Sequence, residues 1–118
     1  MKSILYLEDE EIIGTIYKKN LEKAGFTVVW TKTSDETLRS AEKKKYDFIA
    51  LDHALKEDVT GMDILPAIRE KQPKSKIVML SNYSQFQMEA KAKELGADGY
   101  LVKINTTPKS LIEYIKTL

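Results

Sequence analysis

The chain contains no cysteine, which excludes disulfides and thiolate metal sites. Its single histidine, His53, rules out a multi-histidine metal centre and leaves a Ser-His-Asp triad without support. No stretch approaches the ~20 apolar residues of a membrane span. The short apolar run after Met1-Lys2 meets Glu8-Asp9-Glu10-Glu11 too soon for a signal peptide of ordinary length. Charge of one sign is also lacking: 19 Lys and Arg against 18 Asp and Glu leave a net +1, which offers no surface for direct nucleic-acid or anionic-membrane binding. There is no internal repeat, low-complexity tract or linker. These absences fit a cytoplasmic protein. What remains is one domain over residues 1–118, 42% hydrophobic and 31% charged, long enough to bury about two-thirds of its unfolded surface.

Five apolar runs alternate with five helical patterns. Ser3 to Leu7 reads as a first strand. Ile12, Ile13, Ile16, Tyr17 and Leu21 follow with the spacing of one helix face, stopped at Gly25. Thr27 to Trp30 is β-branched and aromatic, hence a second strand. Thr33 with Glu36 resembles a capping box that opens a helix through Leu38 and Ala41, and Lys43-Lys44-Lys45 reads as its solvated end. Phe48 to Leu51, four consecutive non-polar residues closed by Asp52, reads as a strand buried on both faces. A polar loop runs from Lys56 to Gly61. Thr60 and Asp63 suit a cap for the third helix, but Pro66 falls late for a first turn and implies a later start or a kink. Lys76 to Leu80 is a fourth strand, and Ser84 with Gln87 another capping box for a helix ending at Leu95-Gly96. Gly99 to Val102 is a fifth strand. Thr107-Pro108 reads as N-cap and first residue of a last helix, with Leu111, Ile115 and Leu118 inside. This β/α alternation predicts a parallel, doubly wound α/β sheet with helices on both faces and right-handed crossovers.

In such a sheet every strand-to-helix loop opens on the carboxyl edge, where ligands bind. Glu8 and Asp9 follow strand one, Asp52 strand three, Ser81 strand four and Lys103 strand five. Each residue alone has an ordinary explanation, such as a strand end or a helix dipole. Their convergence is harder to explain so. Three clustered carboxylates raise one another's pKa, and a hard divalent cation such as Mg²⁺ relieves them. Lysine supplies a compact positive charge, and serine a hydrogen-bond donor. Together these groups suit in-line phosphoryl transfer, with Asp52 as the nucleophile that becomes an acyl phosphate. His53 reads as a partly exposed neighbour of Asp52 with no chemical role.

The whole chain resembles the receiver domain of bacterial two-component response regulators, of the chemotaxis-regulator type. The matching motifs are Leu7-Glu8-Asp9-Glu10, Ala50-Leu51-Asp52, Met79-Leu80-Ser81, and Gly96 to Lys103 (Gly-Ala-Asp-Gly-Tyr-Leu-Val-Lys). The resemblance implies a flavodoxin-like (βα)5 fold with strand order 2-1-3-4-5. It implies that Asp52 accepts a phosphoryl group from a sensor histidine kinase or a histidine phosphotransfer protein. Asp9, Asp52 and the backbone carbonyl of Ala54 would ligate Mg²⁺ or Mn²⁺, with Glu8 helping through water. Ser81 and Lys103 would hold phosphoryl oxygens, Tyr100 would be the switch aromatic, and Ala54 and Tyr83 would tune rates. The signal would leave through the surface formed by Gln85 to Glu94 and Gly99 to Leu118, with a phosphorylation-dependent dimer as one outcome.

Three positions depart from the family pattern: Lys56 stands where proline is usual, Asn82 where a small residue is usual, and Ile104 where proline follows the lysine. A cis peptide at Ile104 is therefore not expected. The sequence ends with the last helix. Either the protein acts alone, by docking to a partner or relaying phosphate, or an output domain lies outside this sequence. No turnover of a separate substrate is expected. One rival is a phosphorylation-independent pseudo-receiver of the same fold. The other is an enzyme of similar topology, for which the Gly-rich or hydroxyl-rich phosphate loop and the Asp-x-Asp of strand one are both absent.

Overall fold

The computed structural model describes residues 2–83 and 86–118. The strands are β1 (Ser3–Leu7), β2 (Thr27–Thr31), β3 (Phe48–Asp52), β4 (Lys76–Ser81) and β5 (Gly99–Val102). The helices are α1 (Glu11–Lys23), α2 (Ser34–Lys43), α3 (Gly61–Lys71), α4 (Phe86–Leu95) and α5 (Pro108–Ile115). Neighbouring strands pair in parallel, as the alternation predicts, and in the order β2-β1-β3-β4-β5 that the resemblance implies. Successive side chains of a strand point to opposite faces, and this divides the core in two. Leu5, Leu7, Ile49, Leu51, Ile77 and Met79 meet Ile64, Leu65 and Ile68 of α3 and Ala92 of α4. Ile4, Tyr6, Phe48, Ala50, Val78 and Leu80 meet Leu21 of α1 and Leu111 and Ile115 of α5.

The caps explain where several helices begin. Thr33 accepts the Glu36 amide at 3.2 Å and starts α2. Thr60 and Asp63 form a reciprocal box, with Asp63 N–H donating to Thr60 Oγ1 at 3.1 Å and Thr60 N–H to Asp63 Oδ2 at 2.9 Å. The later start that Pro66 suggested therefore does not occur: α3 begins at Gly61 and carries Pro66 in its second turn on the exposed side. Thr107 caps α5 with Pro108 at its first position, as expected. The cap expected from Ser84 lies outside the described residues. After β5 a single 3-10 turn, Lys103–Asn105, intervenes before α5, which periodicity did not indicate. No cis peptide occurs among the described residues.

Helix α1 corrects the face read from spacing. Ile12 and Ile16 are 77% and 48% exposed, while Leu21 is fully buried and Ile13 and Tyr17 are half-buried. The inward stripe runs through Ile13, Gly14, Tyr17 and Leu21, because Gly14 admits the Trp30 indole. A Cβ at position 14 would lie 2.0 Å from that ring. A second close approach sets the acid edge. A Cβ at Gly61 would lie 2.1 Å from the Asp52 carbonyl oxygen, so the first turn of α3 lies directly against the end of β3. Gly61→Ala is expected to destabilise the protein by ~1–3 kcal/mol through this overpacking. The check is a lower denaturation midpoint at unchanged m-value.

Candidate functional site

The register of the sheet brings the acids together. Leu7 of β1 lies beside Leu51 of β3, so the next residues, Glu8 and Asp52, leave the sheet side by side on the α1/α5 face. Both are buried, Glu8 completely and Asp52 to 1% exposure. Glu8 Oε2 accepts the Glu10 amide at 3.0 Å, and the Glu8 carbonyl accepts Trp30 Nε1 at 2.8 Å. Two adjacent buried carboxylates need a cation. Lys103, at the start of the 3-10 turn, supplies it: its Nζ donates to Asp52 Oδ2 at 2.8 Å. The same ammonium lies 2.9 Å from Glu8 Oε1 in an ion pair that falls outside hydrogen-bond geometry.

Asp9 completes the acid group from the half-buried second position of the loop after β1, and its Oδ2 accepts the backbone N–H of Lys56. Carboxylate oxygens of Glu8, Asp9 and Asp52 lie within 4.8 Å of one another. Asp52 Oδ1 is buried without a hydrogen-bond partner among the described residues. Three carboxylates cluster, one ammonium pairs with only two of them, and one Asp52 oxygen has no partner among the described residues. That donor set fits a hard divalent cation. Ala54, whose carbonyl the resemblance adds, is exposed in the loop that follows Asp52.

The electrostatics follow from burial. Loss of solvent pushes the Asp52 carboxyl up to about 7. The Lys103 hydrogen bond opposes the rise, and the Glu8 charge adds to it. Burial alone would lower the Lys103 pKa, but its contacts with Asp52 and Glu8 outweigh that and raise it, so the ammonium stays charged. Tyr6, fully buried on the same face, is pushed well above its ordinary value by burial and by Glu8. It therefore stays a neutral phenol.

The opposite face carries hydrogen bonds rather than charge. Asp52 pairs with Leu80, so one step further His53 and Ser81 stand side by side on the α3/α4 face. His53 Nδ1 lies 2.9 Å from the Oγ of fully buried Ser81, which also accepts the Tyr83 amide N–H at 3.1 Å. His53 is the partly exposed neighbour of Asp52 that the sequence suggests; its contact with Ser81 is additional, and the parallel register was the signal that would have found it. Tyr100, buried beside Met79, turns inward and donates its hydroxyl to the Tyr83 carbonyl at 2.5 Å. Tyr83 and Asn82 are exposed. The structure thus joins Glu8, Asp9, Asp52 and Lys103 in one group, and Ser81, Tyr83 and Tyr100 in a second beside it.

Asp52 also predicts a pH dependence. Its folded pKa of about 7 lies above its ordinary 3.8, so the folded state holds a proton that the unfolded state has lost. The associated stability is fully present below pH ~4 and declines as pH rises toward ~7. With divalent cations chelated, the protein is expected to lose on the order of 2–4 kcal/mol across that window relative to Asp52→Asn. Denaturation midpoints of the two proteins from pH 5 to 8 check it. Parallel curves would contradict the shift.

Residues 4–116 match the family described as response regulator receiver domain. The chain is 34% identical over 102 residues to the alkaline phosphatase synthesis transcriptional regulatory protein PhoP of Bacillus subtilis, covering 86% of this chain and 42% of that protein. It is 36% identical over 100 residues to the transcriptional regulatory protein CusR of Escherichia coli strain K12, covering 85% and 44%. It thus spans less than half the length of these relatives. Its fold superposes on the chemotaxis protein CheY4 of Vibrio cholerae with a TM-score of 0.90, at 26% identity, over 99% of this chain and 98% of that one. A response regulator of Burkholderia pseudomallei, solved with a phosphorylated aspartic acid, a calcium ion and citrate, superposes with a TM-score of 0.87, at 26% identity, over 99% and 72%. With its flavodoxin-like strand order and its acid, hydroxyl and lysine edge, the chain belongs to the receiver-domain family of response regulators.

Proposed function

We propose that Asp52 is the phosphoacceptor of a two-component pathway. The observation that carries this reading is the buried Asp52 carboxylate itself, with one oxygen held by Lys103 and the other unpartnered beside Glu8 and Asp9. An Asp52 oxygen forms a bond to phosphorus while the bond from phosphorus to the donor's imidazole nitrogen breaks, and that nitrogen keeps the electron pair. Lys103 takes a phosphoryl oxygen, and Ser81 donates to another. Asp9, Asp52 and the Ala54 carbonyl hold Mg²⁺ or Mn²⁺, with Glu8 acting through water. When bound, the cation offsets the charge that three carboxylates and a phosphoryl group bring together.

The donor is a sensor histidine kinase or a histidine phosphotransfer protein, and the whole 118-residue chain acts as one receiver unit. The change at Asp52 passes through Ser81 and Tyr100 to the surface of α4, β5 and α5. There it biases docking of an output partner, of an output domain outside this sequence, or of a second copy. The chain takes part in its own phosphorylation and dephosphorylation and turns over no separate substrate. No helix among the described residues is long and apolar enough to cross a membrane. We place the protein in the cytoplasm, where such kinases deliver phosphate, and assign it no direct contact with nucleic acid.

Incubation with acetyl phosphate and Mg²⁺ is expected to add one phosphoryl group to the wild type and none to Asp52→Asn, as read by intact mass. No gain in the wild type would favour the pseudo-receiver. An equal gain in Asp52→Asn would place the acceptor elsewhere. Lys103→Ala is expected to keep the fold and to shrink the phosphorylation-dependent NMR shift of the Tyr100 ring. An unchanged shift would remove Lys103 from the coupling.

A further inference from the structure

The sheet register places His53 against Ser81, and the chemistry of that contact is specific. A serine hydroxyl has one proton and two lone pairs. One lone pair of Ser81 Oγ receives the Tyr83 N–H at 3.1 Å. The proton is what the hydroxyl can give to an anion, and His53 Nδ1, 2.9 Å away, accepts it when the ring carries its own hydrogen on Nε2. The ring is itself held in place, half-buried, with the Tyr83 ring 5.5 Å from it at a tilt of 57°. Tyr83 is in turn tied to Tyr100 through its carbonyl.

We propose that His53 is a positioning residue which competes with a phosphoryl group on Asp52 for the single Ser81 proton, and so sets how readily the switch hydroxyl turns to that group. This rests on Asp52 being the phosphoacceptor. It assigns the control to a direct contact with the hydroxyl, whereas the rate-tuning positions implied by resemblance are Ala54 and Tyr83. His53 therefore sets the affinity of the site for a phosphoryl-like anion without touching that anion. Releasing Ser81 from His53 strengthens binding, and restoring a hydrogen-bonding atom at the Nδ1 position reverses the gain.

The test is titration with beryllium trifluoride and Mg²⁺, followed at the Tyr83 amide by NMR. His53→Leu is expected to bind the probe about three- to tenfold more tightly, the effect of one neutral hydrogen bond removed from the competing state. His53→Asn, whose amide can still bond to Ser81, is expected to stay within about twofold of wild type. In a Ser81→Ala background, His53→Leu is expected to change nothing. Circular dichroism confirms that each variant is folded, and His53→Asn serves as the second probe of the site should His53→Leu not fold. Equal affinity of wild type and folded His53→Leu would overturn the proposal. So would the same gain in the Ser81→Ala background, or a gain in His53→Asn as large as in His53→Leu. A wild type that binds no probe would instead sink the phosphoacceptor reading, and this inference with it.

Discussion

One ammonium sits where two buried carboxylates meet, and the architecture of the edge depends on it. Glu8 and Asp52 become neighbours because β1 and β3 pair in parallel and end at the same level. Without a cation between them, at least one would have to be protonated or the edge would have to open. Lys103 arrives from β5, two strands away from β3, and reaches both acids with its four-carbon stem. The contact requires the strand order 2-1-3-4-5 and the short turn after Val102. The fold and the site therefore constrain each other. Lys103 neutralises only part of the charge. Burial drives the Asp52 carboxyl upward, the Glu8 charge adds to the rise, and the clustered acids make the group receptive to a divalent cation.

The alternation of side chains along β3 gives the site two unlike halves. Asp52 continues the face of Phe48 and Ala50, so its carboxylate joins Glu8, Asp9 and Lys103 on the α1/α5 side. His53 continues the face of Ile49 and Leu51, and meets Ser81 on the α3/α4 side. The first half is built from charge, and the second from hydrogen bonds around a hydroxyl. Both halves reach β5, the first through Lys103 at its end and the second through the Tyr83 amide and carbonyl and the inward hydroxyl of Tyr100. One step along the chain, from Asp52 to His53, thus separates the charged half from the hydrogen-bonded half.

Much of this was legible in the sequence because it depends on local rules. The five strand cores, the Thr33, Thr60 and Thr107 caps and the acids at strand ends follow from apolar runs, hydroxyl residues before helices, and parallel topology. The misreadings arose where tertiary contact overrode periodicity. Ile12 and Ile16 fit a helix face, yet Gly14 admits Trp30 and rotates the buried stripe away from them. Pro66 argued for a later start of α3, but the Thr60–Asp63 box and the close seat of Gly61 on β3 hold its first turn. The contact of His53 with Ser81, by contrast, has no signature in the sequence. It appears only when β3 and β4 are placed in register.

The departures from the family pattern acquire meaning in the same way. At position 56 a proline would have no N–H, whereas Lys56 gives its amide to Asp9 Oδ2. The loop after Asp52 is thereby tied back to the acid pair by a backbone donor that a proline cannot provide. His53, three residues closer to the strand, ties its other side to the Ser81 hydroxyl. The segment leaving the acceptor is therefore fastened at two points, one in each half of the site. Any change in charge at Asp52 meets Asp9 held by Lys56 on one side and Ser81 held by His53 on the other. The residues that distinguish this chain leave the acceptor, the acid pair and the lysine intact. They fasten the surroundings of Asp52 through hydrogen bonds to Asp9 and Ser81.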